Sequence, residues 1–378
     1  MVHCVQTLMP VSGVQISKIV ILWRSDVSGT CLECNTGERV KRGRSERTTL
    51  LDVATRAGVS PITVSRVLRE PEKVSEQLRG RILGLIEDMG YVPDQAARAL
   101  ASRHNSTFGV LVSSLTNPAF VRFMQGVEER VRETNFRVQY ANTHLCIHEE
   151  SRQVKLLLSQ NTAGMILAGL EGVDQVRTLL KNAACPVVQV VDIHLQTGGT
   201  SIAIDHASAA ATATRHLLDC GYRKIAIFGP IGDERGRRRL AGYSKVMQEA
   251  GLYDEDLVCH SGPATGAQIG AELLRTALQR HPDLDAVFCQ MDDLALGVLF
   301  EAQRIGKRVP DDFGICGYND LDFATMMEPP LTTIKVPLFD MGYRAADMVI
   351  RGVVGTMPSD TMVDLGFRLM KRGTTRTL

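Results

Sequence analysis

The sequence predicts two doubly wound α/β lobes preceded by an all-α helix-turn-helix head. Three observations predict it. The chain has 378 residues, enough for two or three domains at roughly 100–200 residues each. From Phe108 onward, short apolar runs alternate with helix-period segments, the pattern of strands buried on both faces of parallel sheets. Before them, residues 49–68 read as two short helices around a turn.

Taken in order, residues 1–40 hold no sustained period and are punctuated by Gly, Ser and Thr. Residues 1–45 read as an N-terminal extension, either a disordered arm or an over-extended translation. The head occupies 46–94, with helices at 50–57, 61–68 and 76–89. Ser60 suits an N-cap, and Pro61 falls at the first helical position, where its missing N–H costs nothing. Gly90 stops the third helix. Residues 95–102 read as a two-turn helix within a 95–105 hinge and linker.

Strands follow at 108–113, 137–142, 163–167 and 187–191, with helices around 119–134, 148–159 and 174–182 between them. The series restarts with a helix at 209–219, a strand at 224–228, a helix at 237–250 and a strand at 258–260. It continues with a helix at 266–280, a strand at 286–289, a helix at 293–305 and a strand at 313–317. About 270 residues exceed one modest sheet. The expected first lobe is 106–203 with 333–357, and the second is 204–332 with 358–374.

Composition narrows the function classes. Hydrophobic residues make up 44% and charged residues 22%, an ordinary globular balance. No apolar run approaches the ~18 residues of a spanning helix, and no secretory signal pattern opens the chain. A cytoplasmic protein without a membrane partner is expected. The nine cysteines are scattered, which suits reduced thiols. Cys31 and Cys34 form a lone pair without the second pair a structural zinc needs, so no metal is expected. His144, Cys146 and His148 read as a partly exposed strand end. Net charge is +1, yet residues 41–69 carry seven basic and two acidic side chains. That is the footprint of a nucleic-acid module.

The run TLLDVATRAGVSPITVSRVL, residues 49–68, places Ala54, Gly58 and Val64 where a helix-turn-helix needs a small residue, a turn glycine and an apolar contact. Its second helix would enter the major groove. Arg66 can grip guanine bidentately, and Thr63 and Ser65 suit phosphates or bases. Thr49, Ser60, Pro61 and Ile62 complete the expected DNA-facing set.

This run, followed by VSEQLRGRILGLIEDMGYVPDQAARALAS, resembles the head and hinge of the LacI/GalR family of bacterial repressors. The resemblance continues through TNPAF (116–120), DERGRRRLAGY (233–243), DDLALG (292–297), VPDDFGICGYND (309–320) and EPPLTTIK (328–335). It implies a homodimeric regulator of transcription on palindromic operator DNA. It also implies a periplasmic-binding-protein-like core closing on a small-molecule effector. In the family a hinge leucine wedges a minor-groove step; Leu100 matches it. The chain shows no leucine heptad tail after Leu369, so a dimer is expected rather than a tetramer.

Effectors in doubly wound sheets bind at the carboxyl ends of strands. Phe120 after the first strand, Asp192 after the fourth, Arg239, Met291 and Asn319 fall there. Asp205 and Asp292 read as structural caps. Asn319 stands where many relatives carry Asp, and Met291 where many carry Asn. Arg235, Arg237, Arg238 and Arg239 crowd one loop, and spare guanidinium groups suit a carboxylate. Residues 233–235, 292–295, 328–330 and 364–367 resemble the gluconate-repressor branch. The expected function is a repressor of a carbohydrate-utilisation operon controlled by gluconate or a related sugar acid. The alternatives are a family member responding to a neutral sugar or purine, and a small-molecule binder without DNA function. No Gly-rich phosphate loop or nucleophile elbow occurs, so neither an enzyme nor a cofactor is expected.

Overall fold

The computed structural model describes residues 48–93, 106–169, 173–193, 199–262, 265–356 and 362–377. The expected N-terminal extension at 1–45 and the hinge at 95–105, Leu100 included, lie outside the described residues. Backbone contacts divide the chain into two units, Met1–Pro93 and Asp94–Leu378.

The first unit contains α1 (Leu50–Ala57), α2 (Pro61–Arg69) and α3 (Glu76–Asp88). Thr49 and Asp52 cap α1 reciprocally. The Thr49 hydroxyl accepts from Asp52 N at 3.3 Å, and the Asp52 carboxylate accepts from Thr49 N at 2.7 Å. Gly58, at φ 65°, ends α1 in the left-handed region. Ser60 Oγ then accepts from Thr63 N at 3.2 Å and starts α2. Val53, Ala54, Ala57, Val64, Val67, Ile82 and Tyr91 form the small core. Each fully buried aliphatic side chain there contributes about 1.5–3 kcal/mol.

The second unit holds two six-stranded sheets. The first combines β1 (Thr107–Val112), β2 (Arg137–Asn142), β3 (Gly164–Ala168), β4 (Val187–Asp192), β5 (Thr200–Ile204) and β11 (Met362–Asp364). Its order is β2-β1-β3-β4-β5-β11, all parallel. The second combines β6 (Ile225–Gly229), β7 (Val258–His260), β8 (Ala286–Cys289), β9 (Gly314–Asn319), β10 (Thr332–Lys335) and β12 (Arg368–Met370). Its order is β7-β6-β8-β9-β10-β12, with β12 antiparallel. In each, the first strand lies between the second and third. That reversal opens a crevice at the carboxyl ends of the strands.

Helices α4 (Pro118–Val131), α5 (Ile147–Ser159), α6 (Val173–Lys181) and α11 (Leu338–Val353) serve the first sheet. Helices α7 (His206–Asp219), α8 (Glu234–Glu249), α9 (Ala267–Arg280) and α10 (Asp292–Arg304) serve the second. Against α11, helix α4 packs backbone to backbone. A Cβ on Gly126 would lie 2.0 Å from the Phe339 carbonyl oxygen, and one on Gly342 would lie 2.0 Å from that of Phe123.

The chain changes lobes after β5, after β10, and between β11 and β12. Two expected boundaries therefore move. Residues 333–335 belong to the second sheet, where Lys335 pairs with Asn319, so the return comes after Lys335. Residues 362–364 belong to the first, where Met362 pairs with Ser201. The segment around His144 is also corrected. His144 and Leu145 turn at φ 53° and 57°, Cys146 precedes α5 and His148 lies within it, so no strand runs there. Among the described residues no helix is long and apolar enough to cross a membrane.

Candidate functional site

On α2, Val64 and Val67 face the core and leave the opposite side outward. Ile62 is 70% exposed, and Pro61, Arg66 and Arg69 are exposed with it. Ser65 and Thr63 are half-buried. The expected DNA-facing residues thus divide. Thr49 and Ser60 are exposed caps, and the Ser60 and Thr63 hydroxyls lie 3.0 Å apart. Pro61, Ile62, Ser65 and Arg66 make the outward surface. Of the basic stretch, Lys41, Arg42, Arg44 and Arg47 lie outside the described residues.

Between the lobes lies a cavity of about 1250 Å³ lined by the carboxyl ends of both sheets. All five expected effector residues, Phe120, Asp192, Arg239, Met291 and Asn319, line it. Phe120 is half-buried in the first turn of α4. Asp192, buried at the end of β4, accepts from His206 N at 3.1 Å. Met291 holds its Sδ 3.9 Å from Asn117 Nδ2 on the facing lobe. Asn319 sits at φ 114° and Asp320 at 55°, consecutive non-glycine residues in a sparsely populated region. The turn is held by ion pairs from Asp320 to Arg372 at 2.6 Å and Lys335 at 3.4 Å.

The arginine cluster is less spare than its sequence suggests. Glu234 accepts from Arg237 at 2.9 Å and Arg238 at 2.7 Å, and Asp233 accepts from Arg235 at 3.0 Å. Arg239 alone among the four has no carboxylate partner among the described residues. Its Nη1 donates to the Gln290 carbonyl at 2.6 Å and its Nε to the Arg235 carbonyl at 3.2 Å. Its guanidinium carbon lies 4.8 Å from the centroid of the Tyr318 ring. Burial lowers its pKa from the usual value, partly offset by Tyr318 and Asp233. Nη2 has no hydrogen-bond partner among the described residues. A desolvated guanidinium with an open donor is a strong carboxylate grip.

Asp205 caps α7 by accepting from Ser208 N at 2.8 Å, as its sequence position suggests. Asp292 is no cap. Fully buried, it accepts from Leu321 N at 2.7 Å and Thr333 Oγ1 at 2.6 Å, tying α10 to the Asn319 turn and to β10. Burial raises its pKa to about 6. The sequence reading missed Ser113, His206 and Tyr318 as lining residues. Tyr318 sits within an apolar strand and reads as core; His206 follows Asp205 without any spacing signal. No group of three metal-ligating side chains occurs among the described residues.

Comparison with known proteins places both parts. Residues 49–94 match the family described as bacterial regulatory proteins, lacI family, and residues 214–375 match the periplasmic binding protein-like domain. The HTH-type transcriptional regulator GntR of Escherichia coli (strain K12) is 34% identical over 330 residues, 87% of this chain and 99% of that protein. The regulator IdnR of the same strain is 32% identical over 86% of this chain and 98% of its own length. A LacI-family transcriptional regulator from Silicibacter pomeroyi superposes with TM-score 0.79 at 30% identity, covering 86% of this chain and 99% of that one. The lac repressor dimer bound to operator superposes with TM-score 0.75 at 26% identity, covering 88% and 100%.

Proposed function

Because the chain belongs to the LacI family of bacterial regulatory proteins, we propose that it represses a carbohydrate-utilisation operon until gluconate or a related sugar acid enters its cleft. It is a DNA-binding transcriptional regulator, and the relatives it matches are regulators rather than enzymes. Under this proposal a homodimer sets two copies of α2 into successive major grooves of a palindromic operator. The exposed Ile62 and Arg66 read base edges there, Pro61 and Ser65 flank them, Thr49, Ser60 and Thr63 position the backbone, and Leu100 wedges the minor groove.

One observation carries the effector reading. Arg239 is buried in the cleft and has no carboxylate partner among the described residues. Asp233 offsets that charge only in part; a neutral sugar adds no counter-charge, whereas a sugar acid brings a carboxylate to it. The polyol tail then meets Asp192, Asn319 and Asn117, while Phe120 and Met291 give apolar walls. The test uses a palindromic site selected from random duplex DNA. Gluconate should release the protein in a fluorescence-anisotropy titration, and glucose at equal concentration should not. Release by glucose alone, or by neither, would overturn the sugar-acid reading.

A further inference from the structure

Arg235 starts in the second lobe and ends against the first. Its guanidinium carbon lies 5.1 Å from the centroid of the Phe120 ring, and its Nη2 donates to Ser113 Oγ at 3.4 Å. Ser113 follows β1 and Phe120 opens α4, so both contacts cross the cleft. On its own lobe, Asp233 Oδ2 accepts from Nε at 3.2 Å and Nη2 at 3.0 Å, which aims the guanidinium plane. The facing wall is cut back to receive it. A Cβ on Gly169, at φ 84°, would lie 2.3 Å from Ser113 Oγ and 3.0 Å from both terminal nitrogens of Arg235.

We propose that Arg235 is an interlobe latch that sets the affinity for effector. This rests on the cleft being the effector site. By gripping Ser113 and Phe120, the side chain holds the two lobes together before a ligand arrives, so the ligand need not drive closure itself. A binding-competent state that is mostly populated in advance leaves the intrinsic affinity almost undiminished. The latch requires a flat, forked cation: lysine keeps the charge but neither stacks on the ring nor engages Asp233 through two nitrogens.

The experiment measures lobe separation and binding in the full chain. Dyes attached through non-natural amino acids at Lys155 and Glu272, on outer helices of the two lobes, report separation by single-molecule energy transfer. Without ligand, Arg235→Ala should shift the population to a wider separation, with Arg235→Lys intermediate. Phe120→Leu, which removes the ring from the opposite side, should widen it too and keeps the test alive if the alanine variant does not fold. Gluconate should then bind Arg235→Ala about tenfold more weakly, as the closed fraction falls to roughly a tenth. Unchanged separation in the ligand-free variants, or unchanged gluconate affinity, would overturn the latch. Should the wild type bind no gluconate, the sugar-acid reading fails, and the ligand-free separations still decide the latch.

Discussion

The Tyr318 hydroxyl and His206 Nδ1 lie 2.8 Å apart in one hydrogen bond, although 112 residues of chain separate them. His206 opens α7 directly after the first crossover, and Tyr318 belongs to β9, so the bond ties the crossover to the cleft floor. Burial, then the charges of Arg239 and Arg235, pushes the His206 pKa well below its ordinary 6.5.

A base with a depressed folded pKa stabilises the fold above its unfolded pKa. That contribution is lost as pH falls from 6.5 toward the folded value. In His206→Asn the acid limb of stability should therefore be flatter than in the wild type from about pH 7 to about pH 5. Urea unfolding midpoints across that window measure it. Parallel profiles would show that His206 ionisation does not weigh on folding.

For Arg239, alanine substitution should weaken gluconate binding by about 1.5–3 kcal/mol, the worth of a charge-assisted hydrogen bond. Operator affinity should stay nearly unchanged, so the variant remains on DNA at ligand levels that release the wild type. Parallel titrations of the two DNA complexes give the comparison; equal midpoints would remove Arg239 from the effector contacts.

Arg66→Ala should cost about 1–3 kcal/mol of specific binding and relax base preference at one position in each half-site. Selection from randomised operators reads the preference directly. Uniform weakening on every sequence, with a shallower salt dependence, would make Arg66 a phosphate contact instead.

Close approach of α4 and α11 makes its own forecast. In Gly342→Ala the new methyl meets the Phe123 carbonyl oxygen, and the helices must separate. Overpacking of this kind costs about 1–3 kcal/mol. Chemical denaturation checks the value, and a loss under about 0.5 kcal/mol would show that the helix pair adjusts freely.

What could be read from the sequence was mostly local. The Ser60–Pro61 start of α2 and the apolar strands β1, β3 and β6 depend on neighbours in the chain. Strands β10, β11 and β12 have four, three and three residues, too few for any period to show. Their lobes are set by partner register, such as Met362 beside Ser201, and local pattern does not contain that. In the cleft, Asp192 and Asn319 were legible because they end strands. The ion pairs of Glu234 with Arg237 and Arg238 were also available, being spaced three and four residues apart on one helix. Counting arginines without pairing them overstated the free charge.

The three crossovers bear on the order in which the chain can be built. The first sheet acquires β11 only with residues 362–364, and its helix α11 only with residues 338–353. All strands of the second sheet except β12 precede both in the chain. A ribosome therefore cannot release a finished first lobe and then start the second. Until synthesis passes Asp364, the strand β5 has no β11 beside it, and until Val353 the α4 face that α11 covers stays bare. Emerging chains must carry that apolar face until Val353 and that unpaired edge until Asp364, and both lobes are completed only between Leu338 and Met370.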